Sequence, residues 1–121
     1  IDKLSMNNTE LLKGTLSTLI LRLLSEHKRL YGYEITQLVK EKSQDKILLK
    51  EGSLYPALHK LEADGLVTSE EVYIGKRVRR YYKLTEPGKK ATRIYIEELR
   101  GFLKTIEELI LPYPDTYVPA K

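Results

Sequence analysis

Apolar positions recur at helical spacing over the first part of the chain. Leu12, Leu16, Leu19, Ile20 and Leu23 form one stripe, which predicts a helix from about Thr9 to Ser25. Leu11, Leu21 and Leu24 lie off that stripe, so more than one face is apolar, and a small monomer covers such a helix poorly. The polar stretch His27–Leu30 reads as a turn. A second helix is predicted over about Gly32–Lys42, with Ile35, Leu38 and Val39 inward. Ser43–Lys50 reads as a loop, with its triplet Ile47, Leu48 and Leu49 tucked against the core. A third helix is predicted to start at Gly52–Ser53, with Ser53 as N-cap and Pro56 in the first turn. Leu54, Ala57, Leu58 and Leu61 form its apolar face, and Gly65 marks its stop.

Beyond Gly65 the period changes to that of strands. Leu66–Ile74 and Val78–Leu84 read as two extended runs around a turn at Gly75–Arg77, a β-hairpin with a basic tip. Val78, Tyr82 and Leu84 are expected to contribute its inward side. Arg79 and Arg80 are neighbours in a strand and must point to opposite faces, so one of them should face DNA, and Arg80 is the preferred one. Thr85 can cap a last helix over Glu86–Ile110, with Pro87 in its first turn. In that helix Tyr95, Leu99, Phe102, Ile106 and Leu109 follow a 4-3-4-3 spacing, the seam of a coiled coil. A helix of that length outruns the rest of so small a domain, so the seam, together with Leu12, Leu16 and Leu19, is read as the interface of a homodimer.

The element order is helix, helix, helix, basic hairpin, long helix. This predicts a mainly α fold with a β-hairpin wing (α+β), a winged helix-turn-helix followed by a C-terminal dimerisation helix. The expected organisation is a leader at 1–5 ahead of the sole methionine, Met6; the winged domain at 6–85; the dimerisation helix at 86–110; and a Pro-containing, irregular tail at 111–121.

Charge sharpens the picture. The 121 residues carry 21 Lys+Arg and 17 Asp+Glu, a net +4 that says little as an average. Its distribution says more. Lys76 to Arg93 holds eight basic residues and one acid, a net +7, which leaves the remainder at −3. One concentrated basic block in a chain otherwise slightly acidic points to a polyanionic partner. A winged-helix module that binds only protein is the competing reading, and it would not need that excess.

Other chemistries find little support. There are no cysteines, hence no disulfide, thiolate metal site or Cys nucleophile. His27 and His59 are too few and too far apart to hold a metal. No paired acids with a base, phosphate-cradling glycine loop or Ser-His-Asp set is evident, so no enzyme, cofactor or metal is expected. The most apolar stretch, Leu16–Leu24, is too short for a bilayer and contains Arg22; no signal peptide is legible, and the expected location is the cytoplasm.

A third helix of this kind fits the major groove of DNA, where its first turns can present Ser53, Tyr55, His59 and Lys60. The hairpin can lay Lys76, Arg77, Arg79 and Arg80 along an adjacent phosphate backbone or minor groove. Three segments, Leu30-Tyr31-Gly32-Tyr33-Glu34-Ile35, Gly52-Ser53-Leu54-Tyr55-Pro56-Ala57-Leu58-His59-Lys60-Leu61-Glu62 with Gly65-Leu66, and Arg79-Arg80-Tyr81-Tyr82-Lys83-Leu84-Thr85 with Gly88, resemble the PadR family of bacterial transcriptional regulators, in its shorter branch with one C-terminal helix. The resemblance implies a homodimeric repressor that binds palindromic double-stranded DNA and is released by a small, possibly aromatic, effector. It adds Tyr33 and Pro56 to the DNA-contacting residues. In some drug-sensing relatives an aromatic residue of the last helix lines a pore at the dimer centre. Leu99 stands near that position here, and no effector site is assigned.

Overall fold

The computed structural model describes residues 11–114. The expected leader at 1–5, the start at Met6 and the end of the tail at 115–121 lie outside the described residues. Among the described residues there are four helices of ten residues or more: α1 (Leu16–Ser25), α2 (Gly32–Lys42), α3 (Glu51–Ala63) and α4 (Glu86–Ile110). Three strands, β1 (Leu30–Tyr31), β2 (Val67–Ile74) and β3 (Arg77–Leu84), form an antiparallel sheet in the order β1-β3-β2. This is the α+β winged helix predicted from the pattern, with one more strand.

The core draws on every element of the winged domain. Ile20, Leu21, Leu23 and Leu24 of α1 meet Ile35 and Val39 of α2, Leu54, Leu58 and Leu61 of α3, and Val67 and Tyr82 of the sheet. Leu49 closes one end of the core, as its place in an apolar triplet suggested, while neighbouring Leu48 stays exposed. Leu21 and Leu24, off the expected stripe of the first helix, are among the most buried residues. Leu12, Leu16 and Leu19 are only partly covered.

The helix ends follow from local hydrogen bonding. The Glu34 carboxylate accepts the Tyr31 amide (3.1 Å), which fixes the start of α2. At the end of α3 the Leu66 amide returns to the Leu61 carbonyl (2.9 Å) and the Gly65 amide to that of Glu62 (3.0 Å), with Gly65 at φ +76°. This six-to-one, five-to-two pair needs the left-handed residue that glycine supplies without a Cβ penalty. Thr85 starts α4: its hydroxyl accepts the Gly88 amide (3.0 Å) and donates to the Gly65 carbonyl (2.7 Å), so one side chain joins the end of α3 to the start of α4.

Several boundaries depart from expectation. The first helix is not continuous from Thr9 across the described residues. It is interrupted at Lys13–Thr15, where both the amide and the hydroxyl of Thr15 turn back to the Leu12 carbonyl (2.8 and 2.9 Å) and leave α1 to start at Leu16. α3 begins earlier than predicted: Lys50 is the N-cap, its carbonyl taking the Leu54 amide at 3.0 Å. Ser53 is therefore already helical, and Pro56 lies in the second turn rather than the first, where it withholds the bond that Gly52 would otherwise receive. Arg77 belongs to β3 rather than to the turn, since Ile74 pairs with Arg77 across a two-residue loop, Gly75-Lys76. Val78 is 48% exposed, not inward, because the hairpin runs out past the core at that level. Finally, Leu30, at the end of the predicted turn, and Tyr31, at the entry to the second helix, form β1: only two residues long, it carries no alternation of its own and exists through its pairing, Leu30 with Tyr82 and Tyr31 with Tyr81.

The first half of α4 packs on α1, with Gly88 and Thr92 buried and Tyr95 resting against the core. The second half runs on without cover from the described chain. Of the predicted seam, Phe102 is 60% and Leu109 77% exposed, while Leu99 and Ile106 are half-buried. Residues 111–114 are irregular and exposed.

Candidate nucleic-acid interface

Three elements meet at one surface, and specific contacts join them. Gly32, the first residue of α2, lies beneath the Tyr55 side chain of α3. Arg79 of β3 places its guanidinium 4.4 Å from the ring centre of Tyr31, the residue that caps α2. From Glu62, near the end of α3, a carboxylate accepts the Ser69 hydroxyl (2.6 Å), and Ser69 in turn accepts from Arg80 (3.0 Å). The start of α2, the length of α3 and the hairpin are thus tied together.

On α3, Leu54, Leu58 and Leu61 face the core, which turns Ser53, Pro56 and Lys60 outward at i, i+3 and i+7. His59 is also exposed, with its ring centre 6.4 Å from that of Tyr55. Tyr55 itself is half-buried, packed against the core and over Gly32. Lys60 is engaged with Asp64 one turn on (3.0 Å), a hydrogen bond and charge attraction that hold its ammonium above the usual lysine range. Tyr33, on the outer side of α2, is 61% exposed.

On the hairpin the strand alternation separates the cations. Arg77, Arg79 and Tyr81 share one face, and Arg80 shares the other with buried Tyr82. Lys76 and Arg77, at the tip, are exposed, and among the described residues neither side chain has an ion-pair or hydrogen-bond partner. Arg80 is already committed: besides Ser69 it holds Glu71 at 2.7 Å, an exposed pair. Arg79, half-buried, lies over Tyr31.

The outer face of the sheet carries an arrangement that sequence reasoning missed. Arg29 stands 4.1 Å above the Tyr81 ring, Tyr81 meets Tyr31 edge-on at 5.3 Å, and Tyr31 stacks with Tyr33 at 6.5 Å. These contacts link the turn after α1 to the start of α2 and hold Arg79 in one orientation. The signal was present but scattered over positions 29, 31, 33 and 81. Without β1 in register against β3 nothing brings them together. Nor does a motif position reveal the steric role of Gly32, which depends on how close Tyr55 lies in the fold.

The arrangement offers shape, exposed polar groups at the helix surface and cations at the hairpin tip, which suits a duplex rather than a small substrate. Among the described residues no group of three or more His, Asp or Glu side chains is placed to hold a metal, and no helix is long and apolar enough to cross a membrane.

Comparison with known proteins agrees with this geometry. The family model described as the transcriptional regulator PadR-like family matches residues 20–94. A transcriptional regulator of Mycobacterium tuberculosis is 43% identical over 65 residues, 51% of this chain and 61% of that protein. The structure of a transcriptional regulator from Clostridium thermocellum superposes with a TM-score of 0.77 at 32% identity, covering 84% of this chain and 98% of the other. A PadR family transcriptional regulator from Eggerthella lenta gives 0.74 at 28% identity, with 87% and 89% covered.

Proposed function

Because this chain belongs to the PadR-like family of transcriptional regulators, we propose that it is a homodimeric repressor of an inverted-repeat operator, released by a small-molecule effector. The observation that carries the DNA-binding part is the exposed surface of α3 tied to a hairpin whose tip holds two cations, Lys76 and Arg77, with no partner among the described residues. In this reading α3 enters the major groove. Ser53 and Pro56 approach the backbone, Tyr55, His59 and Lys60 meet base edges, and Tyr33, Lys76, Arg77 and Arg79 grip phosphates on either side, with Arg80 held back by Glu71 and Ser69.

Dimerisation is supported by the second half of α4, whose apolar residues Phe102, Leu103, Leu109 and Ile110 have nothing over them in the described chain. A partner's α4, with Leu12, Leu16 and Leu19, would cover them, making 86–110 the dimerisation helix of a winged domain at 6–85. Two-fold symmetry of the protein then requires two-fold symmetry of the site. The effector part rests on family kinship, and the function is regulation of transcription rather than catalysis.

Selection from a pool of random duplexes tests the reading. The enriched sequence should be an inverted repeat with half-sites centred about one helical turn, ~34–36 Å, apart. Enrichment of a single unrepeated site, or none, counts against it.

A further inference from the structure

The +7 block does not all lie at the hairpin tip. Lys83, Lys89 and Arg93 line a separate open cleft of about 1010 Å³, bounded by the end of α1, the base of the hairpin and the first half of α4. Lys83 lies six residues back from Arg77 along β3, about 20 Å at the usual strand rise. The cleft thus sits away from the candidate DNA surface at the tip.

Its walls are cationic in excess. Three acids line it, and each is spoken for: Glu26 by Arg22 (3.2 Å), Glu70 by Arg29 (2.7 Å) and Glu86 by Lys89 (3.1 Å). Lys28, Lys83 and Arg93 have no ion-pair partner among the described residues and leave the lining at about three positive charges. The existing pairs are solvent-exposed, so each holds its cation weakly. Leu24, Leu84 and Ile96 supply apolar surface among these charges. The size matches the upper range of small-molecule sites.

We propose that this cleft binds a small organic molecule bearing two or three oxyanion groups, phosphate or carboxylate, on an apolar body. Lys28, Lys83 and Arg93 take the oxyanions. Arg93 offers a planar fork for two oxygens, and the two lysines act as point charges. Leu24, Leu84 and Ile96 receive the body.

The test is a titration of the full chain, followed by amide chemical shifts, with sodium pyrophosphate and with sodium citrate at constant ionic strength. Three proteins are compared: wild type, Lys83→Gln/Arg93→Gln, and Lys76→Gln/Arg77→Gln. The expected result is saturable shifts confined to residues around the cleft, with affinity about tenfold or more weaker in Lys83→Gln/Arg93→Gln. Lys76→Gln/Arg77→Gln should bind as wild type does. A preference for one salt identifies the headgroup class. Shifts that fail to saturate, that survive undiminished in Lys83→Gln/Arg93→Gln, or that centre on α3 and the hairpin and vanish in Lys76→Gln/Arg77→Gln overturn the proposal. Duplex binding by the same samples is read separately: a chain that binds pyrophosphate in the cleft and no duplex refutes the DNA reading alone, and the reverse outcome refutes the cleft alone.

Discussion

The side chain of Tyr55 on α3 lies across the bare α-carbon of Gly32 at the start of α2: a Cβ built on Gly32 would stand 2.8 Å from Tyr55 Cζ and closer still to the hydroxyl. The absence of one methyl group sets how near the two helices approach, and with it the height at which the outer face of α3 stands.

Gly32→Ala should therefore cost about 1–3 kcal/mol through overpacking and weaken duplex binding, because Tyr55 and the helix beneath it must move. The check is a double-mutant cycle by chemical denaturation. In a Tyr55→Ala background the Gly32→Ala change should cost much less; an equal cost in both backgrounds would show that the two residues do not constrain each other.

Tyr82 offers a test in the core. Its hydroxyl is buried without a hydrogen-bond partner among the described residues. Such a group costs about 1–3 kcal/mol to bury, so Tyr82→Phe should be neutral to stabilising, by about 1 kcal/mol. Burial also raises the hydroxyl above the ordinary tyrosine range. Below a pH of about 10 the hydroxyl is neutral in folded and unfolded chains alike. Above it the unfolded chain loses its proton first, so stability falls as pH rises towards the folded value. Denaturation at pH 7 and above pH 10 should show the wild type losing more stability than Tyr82→Phe; parallel losses would contradict the assignment.

At the hairpin, cations that look alike in sequence differ in the fold. Arg80 is held by Glu71 and Ser69, whereas the Arg77 guanidinium has no partner among the described residues. Glu71→Gln should release Arg80 and tighten binding to all duplexes alike, with the salt dependence steepened by about one phosphate contact per protomer. Folding stability should change by less than about 1 kcal/mol, the pair being exposed. Fluorescence anisotropy on specific and scrambled duplexes measures both effects. A gain for one sequence only would place Arg80 on a base edge instead.

How much of this was legible in the sequence differs from element to element. α2, α3 and α4 were readable because their apolar residues recur at i, i+3 or i+4, and Gly65 and Thr85 carry recognisable end signals, a left-handed glycine stop and a hydroxyl N-cap. β1 was not, because two residues have no period. Ser53 has a side chain suited to a cap, yet the first turn is closed by the Lys50 carbonyl, a backbone group that any residue possesses. The break before α1 at Lys13–Thr15 was hidden because the leucine spacing continues across it. The charge block was visible at once. Its division into a hairpin tip and a cleft at the hairpin base was not: alternation puts Lys83 on the face of Arg77 and Arg79, and only the folded chain brings it beside Lys89 and Arg93 of α4 and the end of α1.

The 4-3-4-3 seam of α4 carries the dimer reading. Phe102→Asp should shift the protein to monomer in light scattering, since it sets a charge at the centre of the proposed interface. Operator affinity should fall with it, because each half-site would be bound alone. A variant that stays dimeric places the interface elsewhere.

The central claim, that α3 and the hairpin bind a two-fold operator through exposed cations, is tested most directly by the affinity for the selected inverted repeat as a function of salt. Two tip cations from each protomer, Lys76 and Arg77, predict a log–log slope of about −3.5 or steeper, at about −0.9 per phosphate contact. A scrambled duplex of the same length should bind far more weakly at every salt concentration. A flat slope, or equal affinity for repeat and scramble, would contradict the account.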